Sequence, residues 1–85
     1  MAISNELRRL VDPYNECCCE YCLSNKCKEW AYLQYGIIIQ SYLYNGKWRV
    51  DILKGIEIDE FFKNINSEPE AIFLACEYIL NNIKQ

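Results

Sequence analysis

Apolar and polar residues alternate over residues 37–44 and 47–53, on either side of Asn45 and Gly46. Asn and Gly tolerate the positive φ that a two-residue hairpin turn requires, and the flanking stretches are rich in β-branched and aromatic residues. The pattern therefore predicts a β-hairpin over 37–53 with its turn at Asn45-Gly46.

This turn sets a register that divides the hairpin into two faces. The first face is mainly apolar and is predicted to face the core, with Ile39, Leu43, Trp48, Val50 and Ile52. The second face mixes aromatic, charged and aliphatic side chains, with Ile38, Gln40, Tyr42, Tyr44, Lys47, Arg49, Asp51 and Leu53. Because a shift of one residue would scramble the two faces, their separation supports the turn independently.

Helical spacing predicts two short helices at the start of the chain. Apolar residues repeat at helical steps over 3–11, and Ser4 can serve as the N-cap. Asp12 and Pro13 end this helix, because proline disfavours helical geometry in the residue before it. The same pair can cap and open a second helix over 14–23.

Two further elements are predicted around the hairpin. Ser24 and Asn25 are a second capping signal, followed by an amphipathic helix from Lys26 that ends before Gly36. After the hairpin, apolar residues within 56–65 predict a third strand.

The last predicted helix spans residues 68–84. Ser67 is a suitable N-cap, Glu70 can return a capping hydrogen bond, and Pro69 is tolerated in the first turn. Apolar residues then repeat at steps of three and four, which predicts a stripe that covers a sheet face. The expected fold is α+β, a three-stranded antiparallel meander packed with N-terminal helices and a C-terminal helix.

Size and charge limit the classes of function. The chain has 85 residues, 12 acidic and 9 basic, with a net charge of −3. We expect one domain over 1–85, with a helical cysteine-rich segment over 1–27 and the helix, hairpin, strand and helix over 28–85. Scattered cations argue against nucleic-acid binding, and the lack of a long apolar run or a signal-peptide pattern predicts a cytoplasmic protein without a membrane partner.

Five of the six cysteines lie within residues 17–27. Cys19, Cys22 and Cys27 are candidate zinc ligands, although a structural site needs four ligands and the chain has no histidine. Small buried thiols and a disulfide or redox role are the alternatives, and a reducing cytoplasm disfavours a disulfide framework. The carboxylates of Glu16 and Glu20 are expected to raise the neighbouring thiol pKa values, which argues against a catalytic cysteine.

The mixed face of the hairpin is the candidate binding surface, through Tyr42, Tyr44, Lys47 and Arg49. Aromatic residues and arginine dominate the energetics of protein interfaces, and they also suit stacking on a nucleobase. Two alternatives stay open, because an N-terminal helix could cover this face or Tyr42 and Arg49 could form an ordinary cross-strand pair. No catalytic residue is predicted, since the acidic group within 57–60 alternates with isoleucines as on the wet side of a strand.

The order helix, hairpin, strand and helix resembles the small phage proteins of the ABA (alpha-beta-alpha) sandwich domain family. The resemblance covers residues 26–84 and rests on Trp48 and on the helix start with Ser67, Pro69, Ala71, Ile72 and Ala75. It implies a phage or prophage setting and no site residues, because the family has no established activity. The cysteine-rich segment departs from the family.

These observations predict a small non-enzymatic binding or inhibitor protein. The expected partner is a host protein, such as a component of bacterial immunity blocked in an anti-CRISPR-like manner, and a small nucleotide signal is the second class. A zinc-stabilised structural or regulatory module built on the 17–27 cluster is the alternative. No other cofactor is expected. An exposed aromatic sheet face is also a route to a homodimer.

Overall fold

A computed structural model describes residues 3–83, apart from the side chain of Ile83. The chain forms three helices and three strands: α1 Asn5–Val11, α2 Glu20–Tyr35, β1 Ile37–Tyr44, β2 Lys47–Lys54, β3 Glu57–Ile65 and α3 Glu68–Ile83. This α+β order confirms the predicted fold class. Lys84, the predicted end of the last helix, lies outside the described residues.

The three strands form an antiparallel meander in the order β1-β2-β3. Every predicted pair of the hairpin is present, from Ile38 with Leu53 to Tyr44 with Lys47. Asn45 and Gly46 take φ values of 52° and 79°, as their turn requires. The hairpin and its register are therefore confirmed.

The third strand pairs with β2 through an irregular register. It shifts once between the positions opposite Trp48 and Val50, and again between those opposite Ile52 and Leu53. Asn64 lies at the first shift with a φ of 63°, a left-handed conformation that asparagine tolerates. These shifts decide which residues of β3 share a face with the hairpin.

The helix predicted over 14–23 is wrong, because residues 12–19 follow an irregular path. The Asp12 carboxylate accepts hydrogen bonds from the backbone amides of Glu16 (2.9 Å) and Cys17 (3.2 Å), which holds this segment as a loop. Helix α2 begins at Glu20 and continues through Ser24, whose hydroxyl donates to the carbonyl of Tyr21 at 2.9 Å. The hydroxyl is thus satisfied inside the helix and does not act as a cap.

The helices pack as one layer against one face of the sheet. Helix α3 contacts all three strands, α2 contacts β1 and α3, and α1 packs on α2 and α3. Ser4 caps α1 as predicted, and its backbone amide and hydroxyl donate to the Glu77 carboxylate at 2.7 and 2.8 Å, which ties α1 to α3. Within residues 3–83, no helix is long and apolar enough to cross a membrane.

The predicted core face of the hairpin is buried where the helices cover it. Ile39, Val50 and Ile52 are buried and Trp48 is half-buried, whereas Leu43 is 62% exposed. The Ser41 hydroxyl donates to the Glu68 carboxylate at the start of α3 (2.7 Å). Leu43 lies two residues nearer the turn, past the residue that contacts the first turn of α3. The helix does not cover it, so its predicted burial is wrong.

Candidate functional site

The outer face of the sheet is the side opposite the helix layer. Its residues on β1 and β2 are those of the predicted mixed face, and the register adds Ile58 and Phe61 from β3. Tyr44 is 51% exposed and Ile38 is 43% exposed, and Tyr42 and Phe61 are also accessible. The described helices pack among themselves and against the other face, so the alternative in which an N-terminal helix covers the outer face is wrong.

Asp51 organises the centre of the outer face. It is almost fully buried, and its two carboxylate oxygens accept hydrogen bonds from different strands. The Tyr42 hydroxyl donates to Oδ2 at 3.0 Å, and Arg49 Nε donates to Oδ1 at 2.8 Å. The carboxylate therefore holds both predicted binding residues in one orientation.

Arg49 lies between two aromatic rings. Its guanidinium carbon is 4.2 Å from the centroid of the Phe61 ring and 5.9 Å from that of Tyr42. The cross-strand pairing of Tyr42 with Arg49 is thus present, and the closer cation–π contact is made to β3. The result is a cluster of Tyr42, Arg49, Asp51 and Phe61 that spans all three strands, called here the aromatic–arginine cluster.

The other two predicted binding residues lie nearer the hairpin turn. Lys47 Nζ donates to the side-chain oxygen of Asn66 at 2.8 Å, which ties the hairpin end to the segment after β3. Tyr44 leaves about half of its surface accessible. The structure therefore brings Tyr42 and Arg49 together. It leaves Tyr44 accessible to a partner, and it pairs Lys47 with Asn66, outside the aromatic–arginine cluster.

An aliphatic strip adjoins the aromatic–arginine cluster at the opposite end of the outer face. Ile38 pairs with Leu53, and Leu53 pairs with Ile58, so one residue from each strand lies in a row. Ile38 and Ile58 are exposed and Leu53 is half-buried. The outer face therefore combines accessible apolar surface with a fixed cation.

Sequence reasoning missed Asp51 and Phe61 as members of the site. Asp51 was detectable, because the hairpin register already placed its side chain on the same face as Tyr42 and Arg49. Phe61 was not detectable, since the two register shifts of β3 have no clear sequence signal.

Contact with Asp51 also changes the protonation equilibria of its two partners. The hydrogen bond to Asp51 raises the pKa of the Arg49 guanidinium. Burial and the hydrogen bond to Asp51 raise the pKa of the Tyr42 hydroxyl. Both groups therefore keep their protons in the folded chain over the neutral range.

A Tyr42→Phe variant is expected to change how stability depends on alkaline pH. Because the folded pKa of Tyr42 is raised, its stabilising contribution is complete below its unfolded pKa of about 10 and is lost as pH rises above it. The difference in the free energy of unfolding between the two proteins should therefore shrink above that pH. Urea unfolding of both proteins at a series of pH values measures this difference. A difference that stays constant at alkaline pH would contradict the raised pKa of Tyr42.

The acidic group within 57–60 is solvated, as predicted for its carboxylates. Asp59 lies 3.7 Å from Lys54 Nζ, and the Glu60 carboxylate accepts from the neighbouring amide of Phe61 at 3.0 Å. The isoleucines that alternate with these acids are also exposed, Ile56 at 98% and Ile58 at 50%. The alternation therefore does not mark a buried face at this end of β3.

Two of the six cysteines are buried in the core. Cys27 and Cys76 are fully enclosed between α2 and α3, and the Cys76 thiol donates to the Cys27 carbonyl at 3.5 Å. The hydrogen bond with the Cys27 thiol and burial both raise the pKa of Cys76. The interpretation of these thiols as small buried hydrophobes is confirmed for this pair.

The three candidate zinc ligands occupy different environments. Cys19 is exposed at the N-cap of α2, Cys22 is half-buried in its first turn, and Cys27 points into the core. Residues 3–83 contain no group of three or more acidic, cysteine or histidine side chains placed to hold a metal ion. Zinc stays a prediction, and elemental analysis of protein purified without added metal would test it.

The remaining thiols differ in pKa. Burial, the neighbouring Cys22 thiol and the Asp12 charge raise the pKa of Cys17 to about 12. The backbone amides of Cys22 and Tyr21 lower the pKa of Cys19, although its side chain completes no capping hydrogen bond. The predicted effect of Glu20 is therefore present at Cys19 but is outweighed by the helix amides.

No family model, curated protein or solved structure matches this chain. The outer face is the strongest candidate for a functional surface, because it joins exposed apolar surface to an ordered aromatic–arginine cluster.

Proposed function

We propose that this chain is a small non-enzymatic binding protein that covers a surface of a partner protein with the outer face of its sheet. The observation that carries the proposal is the aromatic–arginine cluster, held by Asp51 on a face that no described helix covers. The resemblance to phage proteins supports a host factor, such as a component of bacterial immunity, as the partner.

The composition of the outer face suits a protein interface. Tyrosine and arginine are enriched among residues that dominate binding energy, and they act best beside apolar surface that excludes water. The aliphatic strip of Ile38, Leu53 and Ile58 supplies such surface. An exposed apolar patch of this kind on a small domain is typical of an interaction site.

The fixed geometry of the aromatic–arginine cluster also favours binding. Because Asp51 already fixes Tyr42 and Arg49, these side chains lose little rotamer freedom when a partner docks. The same hydrogen bonds argue against catalysis, since the Asp51 carboxylate is committed to two donors and is not placed to act as a general base.

A protein surface is a better occupant than a small nucleotide. Small ligands bind in concave sites that enclose most of their surface, whereas the outer face is an open sheet. Asp51 also forms an ion pair with the Arg49 guanidinium, so Arg49 is less available to bind a phosphate. Co-purifying nucleotide, measured by mass spectrometry, would overturn this choice.

Affinity capture from a bacterial host lysate tests the proposal with a matched pair of variants. Tyr44→Ala truncates an exposed tyrosine of the outer face, and Tyr32→Ala truncates a tyrosine on α2 that is 58% exposed. A partner protein should be retained by the native chain and by Tyr32→Ala and lost with Tyr44→Ala. Equal retention by both variants would eliminate the outer face as the binding surface.

Self-association through the same face is the competing outcome. Two copies could pair their outer faces about a two-fold axis, which would bury the aliphatic strip without another protein. Sedimentation of the purified chain distinguishes a homodimer from a monomer whose outer face is free for another protein. A dimer that dissociates in Tyr44→Ala and persists in Tyr32→Ala would assign the outer face to the homodimer and overturn the host-partner proposal.

A further inference from the structure

Four thiols gather where the irregular segment meets helix α2. Cys18 and Cys19 are exposed, and Cys17 and Cys22 are half-buried. The Cys18 thiol lies 4.0 Å from the Cys19 sulfur, and the Cys22 thiol contributes to the raised pKa of Cys17. These residues form the thiol cluster, which the proposed binding function does not use.

The segment that carries the thiol cluster is held in place by hydrogen bonds. The Asp12 carboxylate binds the backbone amides of Glu16 and Cys17, and Lys26 Nζ on α2 approaches the same carboxylate at 3.9 Å. Asp12 itself is buried. The thiols are therefore presented by a constrained loop against a helix, and their proximity follows from that arrangement.

Cys19 occupies the position in the cluster that favours a reactive sulfur. It is the N-cap of the 16-residue helix α2, where unpaired backbone amides and the helix dipole stabilise a thiolate. A shallow cavity of about 210 Å³ adjoins these sulfurs, and it is lined by Arg8, Cys17, Cys18, Cys19, Glu20 and Leu23.

Cys22 is the best-placed second thiol. It lies three residues after Cys19, so both side chains start on the same side of the first turn of α2. It is half-buried, whereas Cys19 is exposed, which suits a second thiol that reacts only after the first has been modified.

We propose that Cys19 and Cys22 form a reversible dithiol that exchanges with small-molecule disulfides. The Cys19 thiolate attacks one sulfur of the disulfide, forms a mixed disulfide and releases the first thiolate, which takes up a proton. The Cys22 thiol loses its proton and attacks the Cys19 sulfur, which closes the Cys19–Cys22 bond and releases the second thiol. The chain loses two electrons and two protons, and the small disulfide is reduced to two thiols.

Oxidised glutathione is the probe for the test, with the reduced full-length chain as the substrate. Intact-mass analysis after acid quenching should show the chain losing a pair of hydrogen atoms, and peptide mapping should place the bond between Cys19 and Cys22. Cys22→Ser should accumulate a glutathione adduct on Cys19. Cys19→Ser should react at least about tenfold more slowly than the native chain.

Cys18→Ser is the matched control, because Cys18 is the adjacent exposed thiol. It should still form the Cys19–Cys22 bond, and the buried Cys27 and Cys76 should stay reduced throughout. A bond mapped to another pair, or a Cys19→Ser variant that reacts as fast as the native chain, would overturn the proposal. Failure of the Cys22→Ser variant to accumulate the adduct would also overturn it.

Discussion

Ile52→Ala is expected to lower the free energy of unfolding by about 2–5 kcal/mol, whereas Ile38→Ala should lower it by less than about 1 kcal/mol. Ile52 is 0% exposed on the face that packs against the helices, so its truncation leaves a cavity. Ile38 lies on the neighbouring strand and faces the opposite side, where water already reaches it. Urea unfolding followed by tryptophan fluorescence measures both values.

This pair of variants tests whether helices cover only one face of the sheet. The two substitutions remove the same atoms from adjacent strands, so the difference in stability reports the environment of each side chain and not the chemistry of the change. Equal losses of stability would mean that the outer face is buried in the isolated chain, and would contradict the accessible surface on which the binding proposal rests.

Asp51→Ala is expected to lower the free energy of unfolding by about 1.5–3 kcal/mol. The substitution removes the acceptor of two hydrogen bonds, one of them charge-assisted, and leaves the Tyr42 hydroxyl and the Arg49 guanidinium without that partner. Binding to a captured partner should weaken in parallel, because the aromatic–arginine cluster loses its fixed geometry. Chemical unfolding and titration calorimetry give the two quantities.

Asp59→Ala is the control for Asp51→Ala. Asp59 lies on the next strand, and its carboxylate pairs with Lys54 at 3.7 Å while remaining accessible to solvent. Loss of an exposed ion pair of this kind should change stability by less than about 0.5 kcal/mol. If the two aspartate variants unfold alike, Asp51 does not organise the outer face.

The hairpin was predictable because two independent signals agree. Asn45 and Gly46 require a particular turn, and the flanking alternation is compatible with only one register of that turn. The irregular path of residues 12–19 was not predictable in the same way. Asp12 and Pro13 are suitable helix-opening residues, and only the folded chain shows that the Asp12 carboxylate binds loop amides.

The candidate site was predictable only in part, for a related reason. Tyr42 and Arg49 follow from the hairpin register alone, whereas their environment depends on long-range packing. Phe61 reaches Arg49 through a strand with two register shifts, and the exposure of the outer face depends on where the helices dock. Hydrophobic periodicity identifies which faces of a helix or sheet are apolar, but it does not identify which elements pack together.

The dissociation constant of the captured partner for three forms of the chain tests the central claim most directly. For the native chain and Tyr32→Ala the constants should agree, because Tyr32 lies on α2 and away from the outer face. For Tyr44→Ala the constant should rise at least about tenfold, as expected for an exposed tyrosine that anchors an interface. A Tyr44→Ala variant that binds as tightly as the native chain would contradict the account, whatever the constant for Tyr32→Ala.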